Sequence, residues 1–199
     1  MKHKTFEENL AILGEQAKKA TSLTLKEILE TLSGNGRFII LIFLSLPFCQ
    51  PIQIPGVSTP FGIVIAFIGL RISLGKRIWL PKKILLKTIS STTIENISQK
   101  SLQMMIKLNR FIHRRWEWLC KGRIINTING LIICFLGFFL ALPLPLPLTN
   151  LVAGWSIVLV SLGWLTSDGV VILMGYFVSL ITLVYFILIL LSIELFFKL

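Results

Sequence analysis

Residues 46–60, LPFCQPIQIPGVSTP, constrain the fold of this chain more than any other stretch. Pro47, Pro51, Pro55 and Pro60 sit within or beside the centre of an apolar run, 38–74, whose one charge is Arg71. Each proline removes an amide donor and clashes with the preceding turn, so no continuous helix passes through. The flanking pieces, 38–46 and 61–74, are each shorter than the ~20 residues a spanning helix needs. Interrupted backbone at membrane depth is tolerated only where protein buries it or it lines a cavity. The stretch is therefore the first candidate for a functional site.

The same kind of break recurs at Leu142-Pro143-Leu144-Pro145-Leu146-Pro147. With an offset of 94, Ile63-Val64 meets Ile157-Val158, Gly69 meets Gly163, Ser73 meets Ser167 and Gly75 meets Gly169. The leading pairs Leu46-Pro47 and Leu142-Pro143 align only if the first copy carries two extra residues. Paired interrupted hydrophobic segments are the sequence pointer to a transporter-like site. Two proline-rich loops joining ordinary spans are an equally weighted reading.

A chain of 199 residues with 54% hydrophobic content and a mean hydropathy of +0.82 cannot hide that surface in a soluble core of this size. The reading is an all-α integral membrane protein. It has two internal repeats of proline-broken helices, an interfacial amphipathic helix and a C-terminal transmembrane helix. The polar first 35 residues lack the apolar core of a cleavable signal. The net charge is +11, and residues 76–123 alone carry +10. That concentration marks a cytoplasmic segment by the positive-inside rule and fits a multi-pass membrane protein. Nucleic acid is not expected as a partner, because soluble mass and a binding motif are both missing.

Four segments follow in order. Residues 1–37 are a cytoplasmic amphipathic prelude, with Phe6, Leu10 and Leu13 at helical spacing and Thr24-x-x-Glu27 as a capping box. Residues 38–75 are the first broken hairpin, with Thr59 as N-cap and Pro60 at the first helical position. A re-entrant hairpin and two tilted spans both satisfy its flanking charges. Residues 76–127 are the basic connector. A second capping box, Thr92-x-x-Glu95, starts a helix over 92–121, with Ile94, Ile97, Met105, Leu108, Ile112, Trp116 and Leu119 on one face. Lys100, Lys107, Arg110, Arg114 and Lys121 take the other face, the pattern of a helix lying among anionic headgroups. Residues 128–199 hold the second break, a polar turn at Ser167-Asp168-Gly169 with Asp168 exposed, and a full span over 170–193. Cys49 and Cys134 read as packing residues. At Cys120, beside a basic helix, palmitoylation is the less favoured reading.

The chain resembles the ExoD exopolysaccharide-synthesis family of bacterial inner-membrane proteins. The resemblance is carried by Leu25-Lys26-Glu27-Ile28-Leu29 before Gly34, and by Leu46-Pro47 through Pro55-Gly56-Val57-Ser58-Thr59. Leu74-Gly75-Lys76-Arg77, Trp79-Leu80-Pro81, the second Leu-Pro break with Asn150, and Gly163 before Asp168-Gly169 complete it. It covers roughly residues 22–190 and leaves 1–21 outside. It implies a role in envelope polysaccharide export or assembly and carries over no catalytic residues.

Two functions compete. One is transport of an anionic lipid-linked or sugar-phosphate substrate at paired helix N-termini, which bind anions through their open amides. Gln50, Gln53, Ser58, Thr59, Thr149 and Asn150 would supply hydrogen bonds, and Arg71 the cation. Snorkelling to headgroups is the stronger reading of Arg71, with Gly75 four residues on. The other function is a non-transporting scaffold for polysaccharide-synthesis proteins, docked through the basic connector. An enzyme ranks below both. The two histidines, His3 and His113, lie outside the apolar segments, and no catalytic constellation or metal-ligand spacing is visible. No cofactor is expected. Membrane lipids, a second copy in a homodimer and polysaccharide-synthesis proteins are the candidate partners.

Overall fold

The computed structural model describes residues 6–20, 22–32, 35–50, 58–76, 86, 88–108, 116–120, 122–142 and 148–198. The described chain is mostly helical and forms two compact units. One consists of Met1–Arg37 with Arg77–Arg114, the other of Phe38–Lys76 with Arg115–Leu199.

The first unit joins the N-terminal prelude to part of the basic connector. Helix α1 (Phe6–Lys19) packs on helix α5 (Ser91–Leu108). Leu10, Leu13 and Ala17 of α1 are buried, as is Ile94 of α5. Gly14 leaves room for Ser98, to whose Oγ an added Cβ would come within 3.3 Å. The buried Ser98 hydroxyl donates to the Leu10 carbonyl at 2.7 Å, and the Ser91 hydroxyl donates to that of Ala20. Strands β1 (Ser22–Thr24) and β2 (Thr88–Ser90) pair antiparallel, Ser22 opposite Ser90 and Thr24 opposite Thr88. This ladder is an exception to the all-helical expectation. Helix α2 (Leu25–Thr31) starts on the expected capping box. The Thr24 hydroxyl accepts from the Glu27 amide at 3.3 Å, and the Glu27 carboxylate accepts from the Thr24 amide at 2.8 Å.

The second expected capping box does not form the helix start. Helix α5 begins at Ser91, so Thr92 lies inside its first turn, its hydroxyl 2.8 Å from that of Ser90. The expected continuous helix over 92–121 is also corrected. Helix α5 is described to Leu108, and the expected helix is broken before 121, since Trp116 has a left-handed backbone (φ 51°) and Glu117–Leu119 is a separate 3-10 turn. Ile94, expected against headgroups, is buried in the contact with α1 instead.

The second unit is the apolar one. Helix α3 (Gly36–Ser45) runs into a 3-10 turn, Leu46–Cys49, with Pro47 in its first turn. Helix α4 (Ser58–Ser73) follows, and then α6 (Arg123–Ala141), α7 (Thr149–Thr166) and α8 (Gly169–Lys198). Helices α6, α7 and the Gly169–Ile189 part of α8 are long and apolar enough to cross a membrane. The stretches Gly36–Cys49 and Ser58–Ser73 are shorter apolar helices.

Helices α4 and α6 pack antiparallel, almost backbone on backbone. Gly62, Ala66, Gly69 and Ser73 face Ala141, Gly137, Cys134 and Gly130. A Cβ on Gly69 would lie 2.4 Å from the Cys134 nitrogen, and one on Gly137 2.4 Å from that of Ala66. In lipid no water is released when apolar helices meet, so close van der Waals contact between small residues holds them. The Thr127 hydroxyl donates to the Ser73 carbonyl at 3.1 Å and closes one end of this pair.

Helix α7 lies antiparallel to α8, with Gly163 against Ile172 and Gly175 against Val160. Their turn uses Ser167 in the left-handed region (φ 58°). Asp168 is 3% exposed rather than on the surface, because its carboxylate accepts from the Val170 amide at 2.9 Å and starts α8. On the side towards α3, the Phe38 and Trp164 rings are 4.4 Å apart. The Trp164 indole donates to the Cys120 carbonyl at 2.7 Å. Cys120 is buried, its thiol 3.9 Å from the Gly163 carbonyl, so this thiol does not offer an acylation site.

Candidate functional site

The register of the apolar unit brings the flanks of the two proline-rich segments together. Gly62 packs on Ala141, so the first turn of α4 lies beside the last turn of α6. Phe48, in the 3-10 turn, is 3% exposed. Its ring meets Phe61 of α4 edge-on at 5.7 Å. A Cβ on Gly154 of α7 would lie 3.2 Å from the Phe48 backbone and side chain. Three elements thus converge on one aromatic side chain. Phe48 was not among the residues expected at the site. Its signal in the sequence is an aromatic set between Pro47 and Pro51.

In the segments that meet at Phe48, Ser58 is 7% and Thr149 1% exposed, Thr59 and Asn150 are half-buried, and Gln50 is exposed. Gln53 lies outside the described residues, as do Trp79, Pro81 and His113. Arg71 is not gathered here. It is thirteen positions along α4 from Ser58, about 20 Å at helical rise, with its guanidinium 5.7 Å from the Phe67 ring centroid.

The expected caps are displaced. Helix α4 already begins at Ser58, so Thr59 and Pro60 lie in its first turn, where proline costs no hydrogen bond. The N-cap of α7 is Leu148, held at φ 72° and offering no side-chain cap. Thr149 and Asn150 are its first helical residues. Both helices therefore direct their N-terminal amides toward the Phe48 end. Residues 46–62 and 128–167 contain no Asp, Glu, Lys or Arg, so neutral hydroxyls, amides and helix dipoles set the polarity there. The opposite end of the unit is basic and aromatic. It carries Arg71 in the last turn of α4, Lys76 just after that helix, Arg123 at the start of α6, and the exposed Trp116 and Trp118.

The profile of the family described as "Exopolysaccharide synthesis, ExoD" matches residues 6–188. The chain belongs to the ExoD family. The match takes in α1, which the motifs read from the sequence had left outside. Protein ExoD of Rhizobium meliloti (strain 1021) is 38% identical over 169 residues, covering 84% of this chain and 70% of that protein. An uncharacterised protein of Synechocystis sp. is 30% identical over 134 residues, 67% of this chain and 62% of that protein. No solved structure matches the chain. The ExoD family is implicated in exopolysaccharide synthesis, and the three long apolar helices of this member fit a membrane protein. In this ExoD chain the proline-rich flanks meet at one end and the positive charge collects at the other.

Proposed function

We propose that this ExoD-family protein moves an anionic lipid-linked or sugar-phosphate intermediate of exopolysaccharide synthesis across the bacterial inner membrane, binding it at the Phe48 end. The observation that carries the reading is the seating of Phe48 between Phe61 of α4 and Gly154 of α7. Phe48 lies against α4 and α7 within about two turns of their N-termini, and amides at helix starts favour phosphate. Ser58, Thr59, Thr149 and Asn150 stand in those first turns, with Gln50 and Gln53 on the adjoining segment. Arg71, at the other end, serves the headgroup layer rather than the substrate.

The packing also supports a repeat. With the offset of 94, Gly69 corresponds to Gly163 and Phe38 to Ile132. In one half α4 packs on α6 through Gly69, and in the other the Trp164 ring of α7 meets Phe38 of α3, although Gly163 itself packs on Ile172 of α8. Each pairs the second helix of one half with the first helix of the other. The basic end faces the cytoplasm, since the connector carrying +10 joins the apolar unit there.

The test is a set of variants scored for exopolysaccharide output and for protein level in the membrane. Thr59→Val and Asn150→Leu remove polar groups from half-buried positions and should leave accumulation intact while abolishing output. Ser192→Ala, an exposed helical hydroxyl bonded to its own Leu188 carbonyl, should change neither. Full output from both site variants would make the protein a scaffold for polysaccharide-synthesis proteins instead.

A further inference from the structure

The α4–α6 pair ends in a cationic rim that the Phe48 site does not use. The Thr127 hydroxyl donates to the Ser73 carbonyl at 3.1 Å, and Gly130 packs on the Ser73 backbone. Lys76 stands three residues beyond Ser73, and Arg123 four residues before Thr127. The helices are antiparallel, so both cations lie at the same end, each about one helical turn outside the joined residues. Lys76 is held there, because its amide donates to the Arg71 carbonyl at 2.9 Å around the left-handed Gly75. Both cations are exposed. Residues 58–76 and 122–142 contain no Asp or Glu, so no carboxylate on either helix offsets the charge. Arg71 takes no part. It is two residues before Ser73, about 200° around α4, and lies against Phe67.

The surface below the rim is aliphatic. Leu74 is 57% exposed and Ile124 76%. Ile128 and Leu131 continue the Ile124 face of α6 at spacings of four and three residues, and both are exposed. Arg123, Ile124, Thr127 and Ile128 line an open depression of about 310 Å³. Helix α6 is long and apolar enough to cross a membrane, and Arg123 is its first residue. The rim therefore falls in the headgroup layer and the aliphatic face at hydrocarbon depth.

The occupant follows from the two surfaces together. An inorganic anion would use the cations and leave the aliphatic face uncovered. A neutral lipid would cover the face and leave both cations without a counter-charge. A soluble acidic protein segment would reach the rim but not the face at hydrocarbon depth. One molecule with a phosphate and acyl chains matches both, and cations at a membrane surface favour anionic lipids. We propose that Lys76 and Arg123 seat the phosphate of an anionic phospholipid from the leaflet at the basic end, with an acyl chain along Ile124, Ile128 and Leu131. The lipid is a fixed companion of the α4–α6 pair. It sits at the opposite end from Phe48, and its seating does not depend on what the protein moves.

The test uses the full-length chain in phosphatidylcholine vesicles that carry a minor fraction of a photoactivatable lipid with its diazirine on an acyl chain. One set carries phosphatidylglycerol in this form and a parallel set phosphatidylcholine, and the cross-linked residues are mapped by peptide mass spectrometry. Over residues 123–131 the glycerol lipid should label at least about threefold more than the choline lipid, as two cations near an anionic headgroup require. Over residues 177–188 of α8, an exposed apolar stretch without Lys or Arg, the ratio should be about one. Lys76→Gln combined with Arg123→Gln should bring the 123–131 ratio down to that of α8. Lys76→Arg combined with Arg123→Lys should keep it high, and Lys26→Gln, an exposed cation of the other unit, should leave it unchanged. Both rim side chains are exposed, so the neutralised protein should keep its Tm. Equal labelling of 123–131 by the two lipids would overturn the proposal and leave the rim to a protein partner. A preference that is the same on α8, or that survives neutralisation of both cations, would overturn it as well.

Discussion

One methyl group at Gly69 decides whether α4 and α6 can meet. The atom it would strike, 2.4 Å away, is the backbone nitrogen of Cys134, which cannot rotate aside. Gly69→Ala should therefore lower the stability of the detergent-solubilised protein by about 1–3 kcal/mol, the usual cost of overpacking, read as a fall in Tm. Gly75 is the contrasting case. Its φ of 65° needs a residue that tolerates the left-handed region, but an added Cβ meets nothing within 4 Å. Gly75→Asn should leave Tm nearly unchanged, because asparagine accepts that backbone conformation better than other side chains. The four-three-four spacing of small residues in α4 and again in α6 is plain in the sequence once helix contact is the question. The proline breaks do not point to it: Gly69 and Ser73 stand out only as matches to Gly163 and Ser167, and Gly62 and Ala66 read as ordinary members of an apolar run. Asp168 was misplaced for the opposite reason. A carboxylate between two apolar helices looks exposed until the Val170 amide it caps is seen.

Among elements, α2 was the most legible, since its capping box is a purely local signal. Thr24→Ala should cost about 1 kcal/mol at the helix start, as loss of an N-cap does, and speed amide exchange across α2. Hydrogen bonds from the Thr24 amide and hydroxyl hold the Glu27 carboxyl below its ordinary value of 4.5. A carboxyl lowered on folding stabilises the fold where the unfolded group is ionised, and that contribution is lost as the folded group protonates. Protection of the α2 amides, taken relative to their intrinsic exchange rates at each pH, should thus be greatest near neutral pH and fall below about pH 4.5. In Glu27→Gln that fall should be smaller, with protection already lower at neutral pH. Helix α5 was half legible. Its amphipathic face is real, but periodicity says only that the face is covered, not by what. The cover at Ile94 and Ser98 comes from α1, some eighty residues away in the chain. No short-range pattern reveals that, nor the pairing of Ser22 with Ser90.

For the whole molecule, hydrophobic length gave the later helices correctly, and the 170–193 run became the body of α8. It underestimated α6, which begins at Arg123 because a helix start tolerates polar residues in the headgroup layer. At 19 residues, α6 is about 28 Å long, enough for a hydrocarbon core of ~30 Å. A single cysteine at Gly122 should accordingly label with impermeant maleimide only from the cytoplasmic side, and one at the exposed Leu148 only from the opposite side. Labelling of both from one side would make the second hairpin re-entrant. The convergence on Phe48 was legible only in outline. Paired breaks suggested a meeting point, but its centre is set by the depth at which α4, α6 and α7 lock, which depends on contacts between distant segments. The glycine contact between α4 and α6 also has a bearing on biosynthesis. Gly69 and Gly130 are 61 positions apart, with the whole of α5 between them. At ~5–20 residues per second, a ribosome needs several seconds to cover that distance. For that interval the newly made α4 carries a groove of small residues that α6 does not yet fill.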